Sequence, residues 1–372
     1  MIAKKVPKLA IVSERIRNHF NDPLRYFSRV KVKHFYRNTY ADFVPNSKIN
    51  AHQFVNESDL NKKLIQFCPD IIQTYEPFYG YSKIKLPLRP LRILNVVYKY
   101  CQKNKISYYF NALETNVPKK KYGKVAGIII YWMYKKYACR AWKIFAMTNQ
   151  AEQMLLEAGV KKTQINDEIM IGHWGVETEI FKPSLKTNQP SLVFIGTLNE
   201  QKGIKYLVKI ISKVIDNCPM INIKIVGLGY YQYLIKNLIK EYPDNIQYFE
   251  QVSHSEVAKI LARTWIALST SITLNNSSEQ TAGFLLEAMA CGNGIVAFNS
   301  GGISRYVKNG VNGLLSDEKN IDQIVKNISW LLKDNKILKE MQKNNRRWAR
   351  RFYNAESNVN KLEELLVKKL VS

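Results

Sequence analysis

The chain has 372 residues, enough for two domains with separate cores, and carries 56 Lys and Arg against 30 Asp and Glu. The resulting formal charge of +26 points to phosphate-rich partners without choosing between nucleic acid and anionic lipid. The five cysteines are scattered without a CxxC, no run reaches the roughly 18 apolar residues of a membrane span, and the first residues lack a signal-peptide apolar core. The expectation is a cytoplasmic protein with reduced thiols, either soluble or peripheral on the inner face of the cell membrane.

In chain order, β-rich apolar runs at 9–12, 70–75, 107–110 and 143–147 alternate with helical spacing near 57–67, 89–104, 121–140 and 149–158. This alternation predicts a parallel-sheet domain over 1–182. Within it, 119–143 holds eight basic residues and no acid around the apolar and aromatic run 128–134. Such a mixture suits an anionic membrane surface; a helix with one buried face and one solvated basic face fits the same residues. No compact nucleic-acid recognition signature is present, so no nucleic-acid partner is expected.

Residues 183–190 are polar with a proline at each end, and read as a linker. Strands at 192–195, 221–226, 246–249, 266–268 and 294–298 then alternate with helices near 203–217, 230–241, 254–263 and 283–290. They predict a second parallel-sheet domain over 191–353. In 354–372, Val359, Leu362, Leu366 and Leu370 have helical spacing. A ligand cleft is expected at the C-terminal ends of the strands.

The most informative segment is 278–292, SEQTAGFLLEAMACG. It sets Glu279 in a polar loop after an apolar strand, small residues at Ala282 and Gly283, and Glu287 in the helix that follows. Free N–H groups and the dipole at a helix N-terminus favour phosphate, while flanking carboxylates accept hydrogen bonds from hydroxyls. The pattern suits a phosphorylated sugar.

These residues resemble the retaining glycosyltransferases of family four, which have the two-domain GT-B architecture. A Glu, seven residues, a second Glu and AMACG match that family's donor site. The strand and loop 192–203, LVFIGTLNEQKG, and the loops 300–303 and 309–315 extend the resemblance. It implies two Rossmann-like domains and transfer of a hexose or related sugar from a nucleotide sugar. The implied acceptor is lipid-linked or a polysaccharide at the cytoplasmic membrane face. The last helix would cross back to the first domain.

By the same resemblance, Lys202 grips the donor diphosphate, Glu279 the sugar hydroxyls and Glu287 the ribose. The backbone of Ala282, Gly283, Phe284 and Leu285 approaches the phosphate, and Gly227, Gly229 and Val252 contact the nucleotide; a tight strand-to-helix turn accounts for Gly227 and Gly229 equally well. The family's second diphosphate cation, an Arg, is replaced by Thr197, and its Gly-Gly loop after the first strand is absent. Arg15 or Arg17, in the first turn of a helix, is a candidate for the missing charge. Glu114, beyond a strand end, either binds an acceptor hydroxyl or caps the next helix. The resemblance implies retention by front-side attack, with neither cofactor nor metal. The histidines and cysteines likewise lack zinc-site spacing. A sugar-nucleotide binder without turnover, motivated by Thr197, and a basic nucleic-acid-binding protein are the alternatives.

Overall fold

The computed structural model describes residues 6–17, 21–39, 50–76, 88–112, 124–166, 174–274, 278–279 and 283–371. They form two compact units, 1–175 with 355–372, and 176–354. The first begins β1 (Lys8–Ile16), β2 (Lys31–Thr39), β3 (Ala51–Gln53), α1 (Glu57–Phe67), β4 (Ile71–Tyr75) and α2 (Leu88–Asn104). It continues with β5 (Ser107–Ala112), α3 (Lys124–Ala138), β6 (Lys143–Ala146), α4 (Asn149–Glu157) and β7 (Ile165–Asn166). The strands pair in parallel in the order β3-β2-β1-β4-β5-β6-β7.

Both faces of this sheet are covered, so its strands read as unbroken apolar runs rather than alternating ones. Ala10, Val12, Ile72, Phe110 and Ile144 face one core with Leu60, Leu64, Leu94 and Val97 from α1 and α2. Leu9, Ile11, Ile71, Tyr109 and Phe145 face the other, closed by Leu24, Trp174, Val359, Leu362 and Leu366. β2 escapes sequence detection because Lys31, Lys33 and Arg37 interrupt its apolar residues; Lys33 lies over the Phe67 ring, 5.1 Å from its centroid. Its pairing with β1 extends that strand to Ile16, with Arg15 opposite Asn38. The helical placement of Arg15 and Arg17 is therefore corrected: Arg15 is an exposed residue of β1, and Arg17 follows its end.

The second unit contains β8 (Ser191–Ile195), α5 (Ile204–Asn217), β9 (Asn222–Val226), α6 (Gln232–Glu241), β10 (Ile246–Phe249), α7 (His254–Arg263) and β11 (Ile266–Ser269). Then come α8 (Gly283–Ala290), β12 (Gly294–Phe298), α9 (Ile303–Tyr306), β13 (Leu314–Ser316), α10 (Ile321–Lys333) and α11 (Asn335–Phe352). Its sheet is also parallel, ordered β10-β9-β8-β11-β12-β13. α10 and α11 were not predicted, although Ile324, Val325, Ile328 and Leu331 form a buried helical stripe, as do Leu338, Met341, Asn345 and Ala349.

The division between units falls at 175/176, ahead of the predicted linker. Residues 183–190 are an ordered strap of the second unit: Thr187 N–H donates to Arg263 O (3.0 Å), and Trp265 Nε1 to Thr187 O (2.7 Å). A polar, proline-rich segment reads as a linker when the carbonyls that satisfy it are distant in sequence.

The last helix, α12 (Ala355–Val371), belongs to the first unit. Its Glu363, 1% exposed, accepts hydrogen bonds from the N–H groups of Ser28 (2.8 Å), Arg29 (2.6 Å) and Val30 (3.0 Å). Three backbone donors converging on one carboxylate satisfy a buried charge that packing alone would not tolerate.

The buried His34 bonds Asn21 Oδ1 through Nδ1 (3.0 Å) and Ser13 Oγ through Nε2 (2.8 Å). Because Oδ1 only accepts, the proton sits on Nδ1, and burial holds the imidazole down at about 3. Below pH 6.5 the unfolded chain takes up a proton that the folded chain refuses. His34 therefore contributes stability above that pH, progressively lost as pH falls towards 3. From pH 7 to 5, the wild type should lose about 2 kcal/mol more unfolding free energy than His34→Gln, measured by urea denaturation; equal losses would show that His34 titrates normally.

Candidate active site

In the second sheet β8 lies between β9 and β11, so successive connections leave it in opposite directions. Ligands of open parallel sheets bind at the C-terminal ends of such strands, where the diverging loops leave a crevice. Here the loop 196–203 leaves β8 and the segment from Thr270 leaves β11. The two are laced together: Ile272 N–H donates to Gln201 O (2.8 Å), and Thr270 Oγ1 to Lys202 O (2.8 Å). Gly203 has φ +67°, and a Cβ there would lie 1.9 Å from Thr270 O. Only glycine permits that approach.

The lacing presents Lys202 to Glu279. Lys202 Nζ donates to Glu279 Oε2 at 2.5 Å, and Ser271 Oγ donates to the same oxygen at 2.8 Å. Among the described residues, Oε1 accepts no hydrogen bond. The backbone behind the carboxylate is fixed as well: Gly302 N–H donates to Glu279 O at 2.7 Å. The site thus offers an ammonium with further donors, and a carboxylate oxygen with open acceptor capacity.

α8 starts beside this pair in sequence. Its Leu285, Leu286, Ala288, Met289 and Ala290 are all buried, so the helix is held on several sides. A Cβ at Gly283 would meet no atom within 4 Å. Glu287 Oε1 lies 3.3 Å from His254 Nε2 at the start of α7, with 23% of the Glu287 side chain exposed. The Cys291 thiol is buried and pushed up to about 12, which makes it a packing group rather than a nucleophile.

Gly227 and Gly229 end β9 with φ of +150° and +156°, and a Cβ on Gly227 would lie 1.9 Å from Gly196 O. Both glycines thus have a structural reason, close packing against the loop that carries Lys202. Thr197 is exposed on that loop, and Val252 is half-buried between β10 and α7. Phe284 is half-buried, and the Leu285 side chain belongs to the core.

The structure therefore unites Lys202 with Glu279 and gives Glu287 a histidine neighbour, whereas Arg15 and Arg17 belong to the first unit. Glu114 and Ala282 lie outside the described residues. Sequence reasoning missed Ser271 and His254. The polar run Ser269-Thr270-Ser271 at the end of an apolar strand was the available signal for Ser271. His254 has no local signature, because its partner is 33 positions away.

Residues 176–348 match the family described as Glycosyl transferases group 1, nearly the whole second unit. An uncharacterized glycosyltransferase of Haemophilus influenzae is 28% identical over 164 residues, 43% of this chain and 44% of that protein. The match thus spans less than half of that relative's length. Among solved structures, sucrose-phosphate synthase from Thermosynechococcus elongatus superposes with a TM-score of 0.75 at 16% identity, covering 98% of this chain and 99% of that one. Anabaena HepE in complex with UDP gives 0.74 at 14% identity over 97% of this chain and 100% of that one. The fold is GT-B, two parallel-sheet units of seven and six strands.

Proposed function

We propose that the chain is a retaining glycosyltransferase moving a hexose or related sugar from a nucleotide-sugar donor to a lipid-linked or polysaccharide acceptor at the cytoplasmic membrane face. The carrying observation is the Lys202–Glu279 pair, fixed by Ser271 at the β8–β11 switch point. Without donor the two charges neutralise each other. The donor diphosphate takes the Lys202 ammonium, and a sugar hydroxyl binds Glu279, so donor charge replaces internal charge with little rearrangement.

The N–H groups at the start of α8, from Gly283 to Leu285 and Ala282 before them, receive the phosphate oxygens. Glu287, oriented by His254, accepts from the ribose. The turn at Gly227 and Gly229 and the backbone at Val252 border the nucleotide. Thr197 supplies a neutral donor where the resembled family has an arginine. The departing phosphate oxygen takes the acceptor's proton as the acceptor attacks the same face, so the chemistry needs neither a separate carboxylate base nor a divalent metal. The UDP in the Anabaena HepE complex makes uridine nucleotides the first probes.

The proposal predicts that one class of nucleotide sugar raises the melting temperature and is turned over, by transfer or slow hydrolysis, with release of its nucleotide. Lys202→Met should lower that turnover by about 100-fold or more, the scale of losing one transition-state electrostatic partner. No thermal response and no turnover across UDP, GDP, dTDP and ADP sugars would sink the reading.

The membrane part of the proposal rests on α3. Val125, Ile128, Ile129 and Trp132 are 76, 44, 54 and 65% exposed, respectively, at i, i+3, i+4 and i+7 spacing. Tyr134, Tyr137 and Ala138 bury the helix's other side. Lys135, Lys136 and Arg140 are exposed at its C-terminal end, with Lys135 Nζ 5.8 Å from the Trp132 ring centroid. An exposed apolar stripe flanked by cations suits the interface of an anionic bilayer. No described helix is long and apolar enough to cross one. Cosedimentation with phosphatidylglycerol-containing vesicles should fall about tenfold in Ile129→Gln/Trp132→Ala, from the lost apolar burial. Undiminished binding by that variant would remove α3 from the account.

A further inference from the structure

At the opposite end of α8 from Gly283, about 12 Å away at 1.5 Å rise per residue, the second unit has a cavity of about 770 Å³ between the 183–190 strap and α11. Six cationic side chains line it, Lys186, Lys343, Arg346, Arg347, Arg350 and Arg351, and among the described residues no carboxylate does.

Two of the six have structural work. Lys186 Nζ donates to Cys291 O at 3.0 Å, and Arg346 Nη1 donates to Thr178 O (3.0 Å), Phe181 O (2.9 Å) and Ala290 O (2.9 Å). Ala290 O and Cys291 O lie at the end of α8, where cations also complement the helix dipole, and Thr178 O and Phe181 O lie in the segment that precedes the strap.

The other four are different. Lys343, Arg347, Arg350 and Arg351 are exposed, and among the described residues none forms an ion pair. Lys343, Arg347 and Arg351 stand at i, i+4 spacing, as do Arg346 and Arg350, so like charges face each other along the helix and weaken it. The α11 dipole offsets this for Arg350 and Arg351 in the last turn, but not for Lys343 and Arg347. Three of the four are arginines, whose planar fork matches phosphate oxygens bidentately.

We propose that this cavity binds a multiply charged phosphate ester, separate from the donor site. Its volume is within the usual range for small-molecule pockets. Arg347 donates to Asn344 Oδ1 and Arg351 lies over the Phe352 ring, so neither charge is neutralised, and four cations without an ion pair match a ligand with at least two phosphate groups. Burial holds the Lys186 ammonium down at about 8, so an anion beside it also relieves a desolvated charge. The ester is either a soluble molecule or a phospholipid headgroup.

The test uses the full chain, with inorganic pyrophosphate followed by calorimetry and, in the Ile129→Gln/Trp132→Ala background that removes the α3 stripe, vesicles containing cardiolipin, whose headgroup carries two phosphates, followed by cosedimentation, at physiological salt to suppress loose attraction. Arg347→Ala/Arg350→Ala replaces exposed residues, and circular dichroism verifies its fold. Pyrophosphate binding that persists in Lys202→Ala and falls at least about tenfold in the double variant supports a soluble ester, since each charge-assisted bond is worth roughly a factor of ten. Vesicle binding lost in that variant, without such pyrophosphate binding, supports a headgroup. If the variant binds both probes as the wild type does, or the wild type binds neither, the proposal is overturned.

Discussion

The contact between Lys202 and Glu279 is the constraint around which the second unit is arranged. It joins residues 77 positions apart, 2.5 Å from nitrogen to oxygen, with Glu279 almost buried and Lys202 partly so. A carboxylate that far from water needs a cation or several donors, and Ser271 provides one further hydrogen bond. The rest of the local architecture brings the two loops close enough. Gly203 lets one pass against Thr270, and Gly301 lets the other run past Gly301 and Gly302 without a Cβ striking Glu279 O, 2.2 Å away.

Topology explains why the pair stands where it does. β8 and β11 are adjacent in the sheet but distant in the chain, so their loops meet only because β9 and β10 were added on one side and β12 and β13 on the other. α8 is wedged against α11 and β12, with its far end fixed by Lys186 and Arg346. A helix held at that end and packed on several sides is a rigid element, and rigid dipoles are what electrostatic preorganisation uses. The same excess of cations thus has three uses, capping carbonyls, opposing Glu279, and lining an acid-free cavity.

Much of this was legible in the sequence. The alternation of apolar runs and helical spacing gave two parallel sheets, because strands covered on both faces are apolar throughout. The motif around Glu279 and Glu287 located α8, and the stripe Val359, Leu362, Leu366 located the last helix. What escaped has physical causes. β2 is punctuated by lysines, Lys31 exposed and Lys33 with its ammonium over the Phe67 ring, so its apolar run is broken in the sequence. The strap at 183–190 looks like a linker because its partners, Ala262, Arg263 and Trp265, are some 75 residues on. Ser271 and His254 acquire their roles only when distant segments meet. Sequence pattern reports burial and local turn chemistry well, and side-chain pairing across loops poorly.

Everything inferred for this site depends on Lys202 and Glu279 acting as a unit in the protein before any donor binds. A double-mutant cycle on unfolding free energy, with Lys202→Met, Glu279→Gln and the two combined, addresses this directly. Coupling predicts that the two single losses together exceed the loss in the double variant by about 1 kcal/mol or more, since each single variant strands a charge or a donor that the double variant does not. Additivity to within about 0.5 kcal/mol would mean that the two side chains are independent, and the proposed exchange of charge at this site would have to be abandoned.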